Sequence, residues 1–361
     1  MSQDSVRAMA ADDHTIHDAR QRRTILIAVC IALMAVIASV SGVNVAQPQL
    51  AVALHAGQNV ILWIINIYTV TLAALLLPLG AAGDPWGRKP FLLGGLFVFG
   101  AASAAAGLAP NIATIFAARL LSGIGAAMIM PVSLAIITSA FPSEERSKAI
   151  GVWSAVAGAG GIVGMFVPAV LVDVAGWRWI FFQPVALVVA AILPTARAVP
   201  NSREAAGHKF DTGGALMSSI GVVGFILVLQ EGPERGWLAP LTLLYLVAGI
   251  GAAASFVVWE LRQQAPLLDV RLFRMRILAS GSVSLLAVFG VPTGVFVVLY
   301  PYFQLVLGWS GLAATIACMP MLVLMVACSV LAPRLAAGIG SRLTMAAGIF
   351  LGGAGLAFLG L

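Results

Sequence analysis

Eleven runs of about 20 mostly apolar residues punctuate this chain, near 24–43, 60–82, 90–108, 112–140, 149–172, 179–199, 213–230, 238–259, 277–304, 311–332 and 343–361. A helix rises 1.5 Å per residue, so about 20 apolar residues cross the ~30 Å hydrocarbon core of a bilayer. The pattern therefore predicts a chain that passes through a membrane repeatedly. Composition agrees, since 61% of the 361 residues are hydrophobic and 9% charged, against about 25% charged in a soluble domain. A soluble globular fold is excluded. The ten-residue alternation of a membrane barrel is missing, which leaves an all-α bundle whose helices satisfy their own backbone groups in lipid.

A net charge of +6 would suggest a nucleic-acid partner in a soluble protein, but here it has a topological explanation. With the amino terminus inside, the arm of residues 1–23 and the loops 83–89, 141–148, 200–212, 260–276 and 333–342 are cytoplasmic. Of the 20 lysines and arginines, all but Arg119, Arg178 and Arg235 lie on that side. This is the positive-inside asymmetry of a multi-pass protein of the cell membrane, and no nucleic-acid partner is expected. The arm carries Asp4, Asp12, Asp13 and Asp18 among its arginines, so the first run reads as a true span and not as a cleavable leader. Cys30, Cys318 and Cys328 sit in apolar runs without CxxC or Cys/His spacing, so neither a metal site nor a disulfide is expected. There is no GxxxxGK[ST] phosphate loop and no HExxH. An enzyme and an ATP-driven pump are both excluded on this reading.

The most specific local feature is the hairpin Gly80-Ala81-Ala82-Gly83-Asp84-Pro85-Trp86-Gly87-Arg88-Lys89. Its glycines permit a tight turn at the membrane surface, and Asp84 can pair with a cation. Gly80, Asp84, Gly87, Arg88 and Lys89 match the Gly-x-x-x-Asp-x-x-Gly-Arg-Lys loop of the major facilitator superfamily, which the chain resembles. More of it resembles the drug and proton antiporter branch with fourteen spans: Val43-Asn44-Val45-Ala46 with Pro48, Trp63 and Tyr68, the Arg119-to-Ala127 segment closed by Pro131, Trp177-Arg178-Trp179, and Pro266-Leu267-Leu268-Asp269. Gly151, Gly160 and Gly164 have the spacing of that branch's antiporter motif, and Gly160 with Gly164 also forms an ordinary Gly-x-x-x-Gly packing face. The resemblance implies a helical bundle, no cofactor beyond a proton gradient as energy source, and an amphipathic small molecule as substrate.

Arg119 lies inside the fourth run, where an arginine costs about 2.5–3.5 kcal/mol at the bilayer centre unless a polar partner or cavity receives it. It either snorkels to the outer headgroups or faces inward, and the resemblance assigns the matching arginine to proton coupling. Its expected acidic partner in the first span is Ser39 here. Asp173, near the outer end of the fifth run, is the remaining proton-coupling candidate, with a solvated end charge as its plainer reading. Asn44, Gln47, Trp63, Tyr68, Ser122, Tyr302 and Gln304 are candidates for lining a substrate cavity held largely by aromatic contacts.

Trp86-Gly87-Arg88-Lys89 recurs loosely as Ile339-Gly340-Ser341-Arg342, as in a transporter built of repeated halves. The organisation expected is a cytoplasmic arm over 1–23, a six-helix bundle over 24–199, a linker with two inserted spans over 200–276, and the first three helices of a second bundle over 277–361. Fourteen spans would need about 100–150 further residues by bilayer arithmetic, so the second bundle is expected to be incomplete. Three functions fit: proton-coupled efflux of amphipathic molecules by alternating access, a truncated remnant or assembly partner that does not transport, and an uncoupled facilitator of an apolar metabolite.

Overall fold

A computed structural model describes residue 16, residues 18–201, 210–263 and 266–359. Most of the amino-terminal arm, and Arg203 and Lys209 of the expected 200–212 loop, lie outside the described residues. Twelve α-helices run in order among those that are described: α1 Ala19–Val45, α2 Gln47–Ala53, α3 Gln58–Trp86, α4 Arg88–Gly107, α5 Ile112–Ala140, α6 Ser143–Ala175, α7 Trp179–Ala198, α8 Thr212–Arg235, α9 Pro240–Glu260, α10 Arg276–Pro301, α11 Gly311–Ile339 and α12 Ser341–Leu359. A 3-10 turn covers Val270–Arg274 and a π-helical turn covers Tyr302–Val306. Among the described residues there is no strand, and eight helices, α1 and α3–α9, are long and apolar enough to cross a membrane.

Local chemistry explains the ends. Asp18 accepts from the Arg20 amide, Asn111 from Thr114 and Asp211 from Gly214, each at 2.9 Å, so three helices start on side-chain caps that satisfy amides left open by the first turn. The apolar run at 149–172 extends amino-terminally to Ser143 because Glu144 and Glu145 occupy the first turn of α6, where a carboxylate meets the positive end of the helix dipole. Pro48 opens α2 as a helix of its own, since proline fits a first turn but donates no amide. The expected 83–89 loop is corrected: α3 continues through Pro85 to Trp86 and breaks only at Gly87, whose φ of 95° is open to glycine at little cost.

The chain divides into two compact units, Met1–Leu272 and Phe273–Leu361. In the first, α4 lies along α5 and α7, α3 along α5, and α1 along α6 and α7. The shared core holds Ile25, Val29, Val36, Tyr68, Leu92, Leu96, Phe99, Ile129, Ile136 and Val188. Lipid tails are as apolar as leucine, so these helices associate through close approach of small residues more than through hydrophobic burial. A Cβ on Gly125 would stand 2.7 Å from the Phe99 amide nitrogen and 2.9 Å from the Gly95 carbonyl oxygen, and one on Gly123 would stand 2.8 Å from the Tyr68 carbonyl oxygen. These contacts seat both α3 and α4 on α5. The hairpin α8–α9 joins the same unit through α3: Asn66 donates to Gln230, Asn59 to Glu234, and the Ser219 hydroxyl to the Ala74 carbonyl. In the second unit α11 packs along α12, and the π-helical turn after α10 lies against α11.

Candidate functional site

Arg119 projects from α5 about two turns from the helix start, at a point where Gly123 lets α3 come close enough to place Tyr68 beside it. Only 1% of Arg119 is exposed. Nη1 donates to Ser39 Oγ at 2.9 Å, Nε donates to the Ile64 carbonyl at 3.2 Å, and the guanidinium carbon stands 4.3 Å from the Tyr68 ring centroid. Tyr68 is itself held by donating its hydroxyl to the Val36 carbonyl at 3.0 Å. Among the described residues Arg119 Nη2 is buried and meets no acceptor, and no carboxylate pairs with this arginine. Three helices thus enclose one uncompensated cation, stabilised by a hydroxyl, a carbonyl and an aromatic face. The guanidinium faces the interior, and the snorkelling alternative is set aside.

The remaining candidates scatter. Tyr68 and Ser122, expected along a substrate cavity, are 0% and 1% exposed; Tyr68 serves as the platform for Arg119 instead. Trp63 is half-buried on α3. Asn44 donates to Val40 within its own helix and accepts from Gln47, so this pair satisfies itself at the end of α1. Asp173 stands exposed in the last turn of α6. Tyr302 and Gln304 belong to the π-helical turn of the second unit, where the Tyr302 ring tilts against Phe303.

In the hairpin, Asp84 and Gly80 are helical, and Asp84 pairs with Arg88 across the Gly87 break, Oδ1 to Nη2 at 2.9 Å. Arg88 also donates to the Ala135 carbonyl near the end of α5 at 3.3 Å, so one guanidinium clasps three helices. Lys89 is half-buried in the first turn of α4. The antiporter-motif glycines divide into two classes. A Cβ on Gly164 would stand 2.8 Å from Ala38 Cα and one on Gly160 would stand 3.2 Å from Ile37, whereas Gly151 has open space around it. Gly160 and Gly164 thus form the packing face for α1. Pro168, one turn beyond Gly164, packs into the notch at Gly42, 3.1 Å from a Cβ built there.

Two buried carboxylates escaped the sequence reading because both lie near run ends. Glu231 is 7% exposed and pairs with Arg235, and Glu260 is 2% exposed and accepts from the Leu268 amide. Arg178 lies over the Trp177 ring at 4.5 Å and donates to the Ala109 carbonyl. Arg178 and Arg235 are therefore each held by specific partners, a signal no hydropathy window carries.

Residues 29–361 match the Major Facilitator Superfamily. The chain belongs to that superfamily. The multidrug resistance protein Stp of Mycobacterium tuberculosis is 30% identical over 325 residues, covering 90% of this chain and 60% of Stp. The methyl viologen resistance protein SmvA of Salmonella typhimurium is 33% identical over 347 residues, 95% of this chain and 69% of SmvA. The chain thus spans 60% of the length of Stp. Among solved structures, a peptide transporter POT in complex with sulfate aligns with a TM-score of 0.58 at 14% identity, over 87% of this chain and 68% of that one. This last likeness concerns the fold alone. The chain is a multi-pass helical membrane protein of the superfamily, with drug-resistance proteins among its relatives.

Ser39 is the one hydroxyl on Arg119, so Ser39→Ala is expected to lower stability by about 1–3 kcal/mol, the usual cost of stranding a buried donor. Ser39→Thr, which keeps the hydroxyl, is expected to retain most of it. Thermal unfolding of the purified chain in detergent checks both.

Proposed function

We propose that this chain carries the substrate-handling bundle of a proton-driven exporter of amphipathic small molecules, working by alternating access in the cell membrane with its amino terminus in the cytoplasm. The observation that supports this most is Arg119, a cation 1% exposed within a membrane-spanning helix and ringed by Ser39, Ile64 and Tyr68. Keeping such a charge in a span costs free energy that packing alone does not require, and a group used in translocation accounts for it. The relatives named for multidrug and methyl viologen resistance support a substrate class defined by amphipathicity more than by one shape. Orientation is supported by the inward charge bias, with Arg178 and Arg235 individually partnered.

A second reading rests on Ser39. It places a hydroxyl where an acidic partner was expected, so among the described residues no carboxylate pairs with Arg119 to relay a proton. An uncoupled facilitator follows from that arrangement. Uptake of methyl viologen and of a lipophilic cationic dye into inverted vesicles separates the two. Accumulation that stops when a protonophore collapses the gradient is expected for the exporter, and equilibration unaffected by the protonophore would replace it with the facilitator.

A further inference from the structure

At the end of the α8–α9 hairpin that carries Asp211 and Glu260, a groove of about 370 Å³ opens on the protein surface, lined by Met217 of α8 and by Ala254, Ser255, Val258, Trp259 and Arg262 at the end of α9. The orientation proposed above puts this end at the cytoplasmic leaflet. Its acidic groups all have partners, Asp269 accepting from the Arg271 amide at 3.0 Å. Asp211 accepts from the Gly214 amide and, at 2.9 and 3.1 Å, from Trp259 Nε1, and Glu260 is 2% exposed beneath the Leu268 amide. Arg262 and Arg271 remain exposed. The Arg271 guanidinium donates to the carbonyl of Leu261, the neighbour of Arg262 in sequence, at 2.9 Å, and among the described residues neither arginine makes an ion pair.

Below this pair the apolar wall continues along α9. Val247, Ile250, Ala254 and Val258 follow one another at helical spacing, and Val247, Ile250 and Val258 are exposed. An uncovered apolar stripe on a membrane-spanning helix lies against acyl chains. The indole of Trp259, fixed by Asp211, marks the depth where an amphipathic ring settles, at the headgroups. Two exposed guanidinium groups at that depth, beside a groove lined largely by apolar side chains, complement a phosphate with an acyl tail.

We propose that this groove binds one anionic phospholipid of the cytoplasmic leaflet, with an acyl chain along Met217, Ala254 and Val258 and the headgroup phosphate on Arg262 and Arg271. A zwitterionic lipid brings its own ammonium to the same place and gains less from the pair. Each arginine near such a surface strengthens anionic-lipid binding about fivefold.

The test is a titration of the purified full chain in detergent with phosphatidylglycerol or phosphatidylcholine of identical acyl chains, read by native mass spectrometry as retained lipid. No transport enters this readout, so its failure and the failure of the exporter reading are distinguishable. The first phosphatidylglycerol is expected to bind about tenfold or more tighter than phosphatidylcholine. Arg262→Gln and Arg271→Gln are each expected to cut that preference about fivefold, and Ala254→Trp, which fills the groove from an exposed position, is expected to weaken both lipids. Three results would each overturn the proposal: an unchanged preference in the Arg262→Gln/Arg271→Gln double variant, equal affinity for the two lipids in the unaltered chain, or displacement by free glycerol phosphate at the concentration at which the whole lipid binds.

Discussion

On the exporter function proposed above, Arg119→Ala is expected to abolish gradient-driven uptake of methyl viologen into inverted vesicles while leaving the protein inserted and extractable. The reason lies in what surrounds the guanidinium. Ser39 Oγ, the Ile64 carbonyl and the Tyr68 face stabilise the cation, but none carries a compensating charge, so the field of Arg119 reaches any charged group or cationic substrate that approaches α5. Replacing it by an apolar residue of similar volume, as in Arg119→Met, takes an uncompensated charge out of a low-dielectric site without leaving a cavity, a change that is often neutral or stabilising for the fold. Activity and stability should therefore move separately in that variant, with uptake lost and the thermal midpoint in detergent held or raised. Arg119→Lys keeps the charge but loses the planar fork that reaches Ser39 and Ile64 together, and is expected to recover only part of the activity. Uptake in Arg119→Ala equal to that of the unaltered chain would remove this residue from the mechanism.

The second large effect is structural. Gly125→Val is expected to lower the thermal midpoint by more than about 5 °C, because its Cβ would stand 2.7 Å from the Phe99 amide nitrogen and 2.9 Å from the Gly95 carbonyl oxygen. Both neighbours are backbone atoms that cannot rotate away, so α4 and α5 must separate. Overpacking of this kind costs about 1–3 kcal/mol or more in a filled interior. Gly151→Ala, whose added methyl meets open space, is the matched control and is expected to leave the midpoint unchanged. A Gly125→Val protein that melts with the unaltered one would mean that α4 and α5 do not meet at this seam.

Much of the fold was legible before any coordinates, and the reason is physical. Lipid forbids unsatisfied backbone, so hydropathy and length alone delimit helices, and α5 and α7 fall within a residue of the runs read at 112–140 and 179–199. Reading failed where polar residues are helical, as at Glu144 and Glu145 of α6, and where a turn was expected but α3 continues through Pro85 and breaks only at Gly87. At the site, Arg119 stood out by its cost in a span and Ser39 by its place in the first-span motif. Neither observation could say that the two meet, that Tyr68 belongs beneath the guanidinium and not along a cavity, or that Glu231 and Glu260 are buried at their helix ends.

The order of the apolar runs and the one-sided bias of the basic residues among the loops between them were therefore determined by sequence alone, because each follows from transferring one segment at a time from water to lipid. Which side chains share an interior was decided only by tertiary structure. Gly123 and Gly125 bring α3 and α4 onto α5 at distances set by the absence of a Cβ, Gly164 does the same for α6 on α1, and these close approaches place a serine, a carbonyl and an aromatic ring around a single arginine.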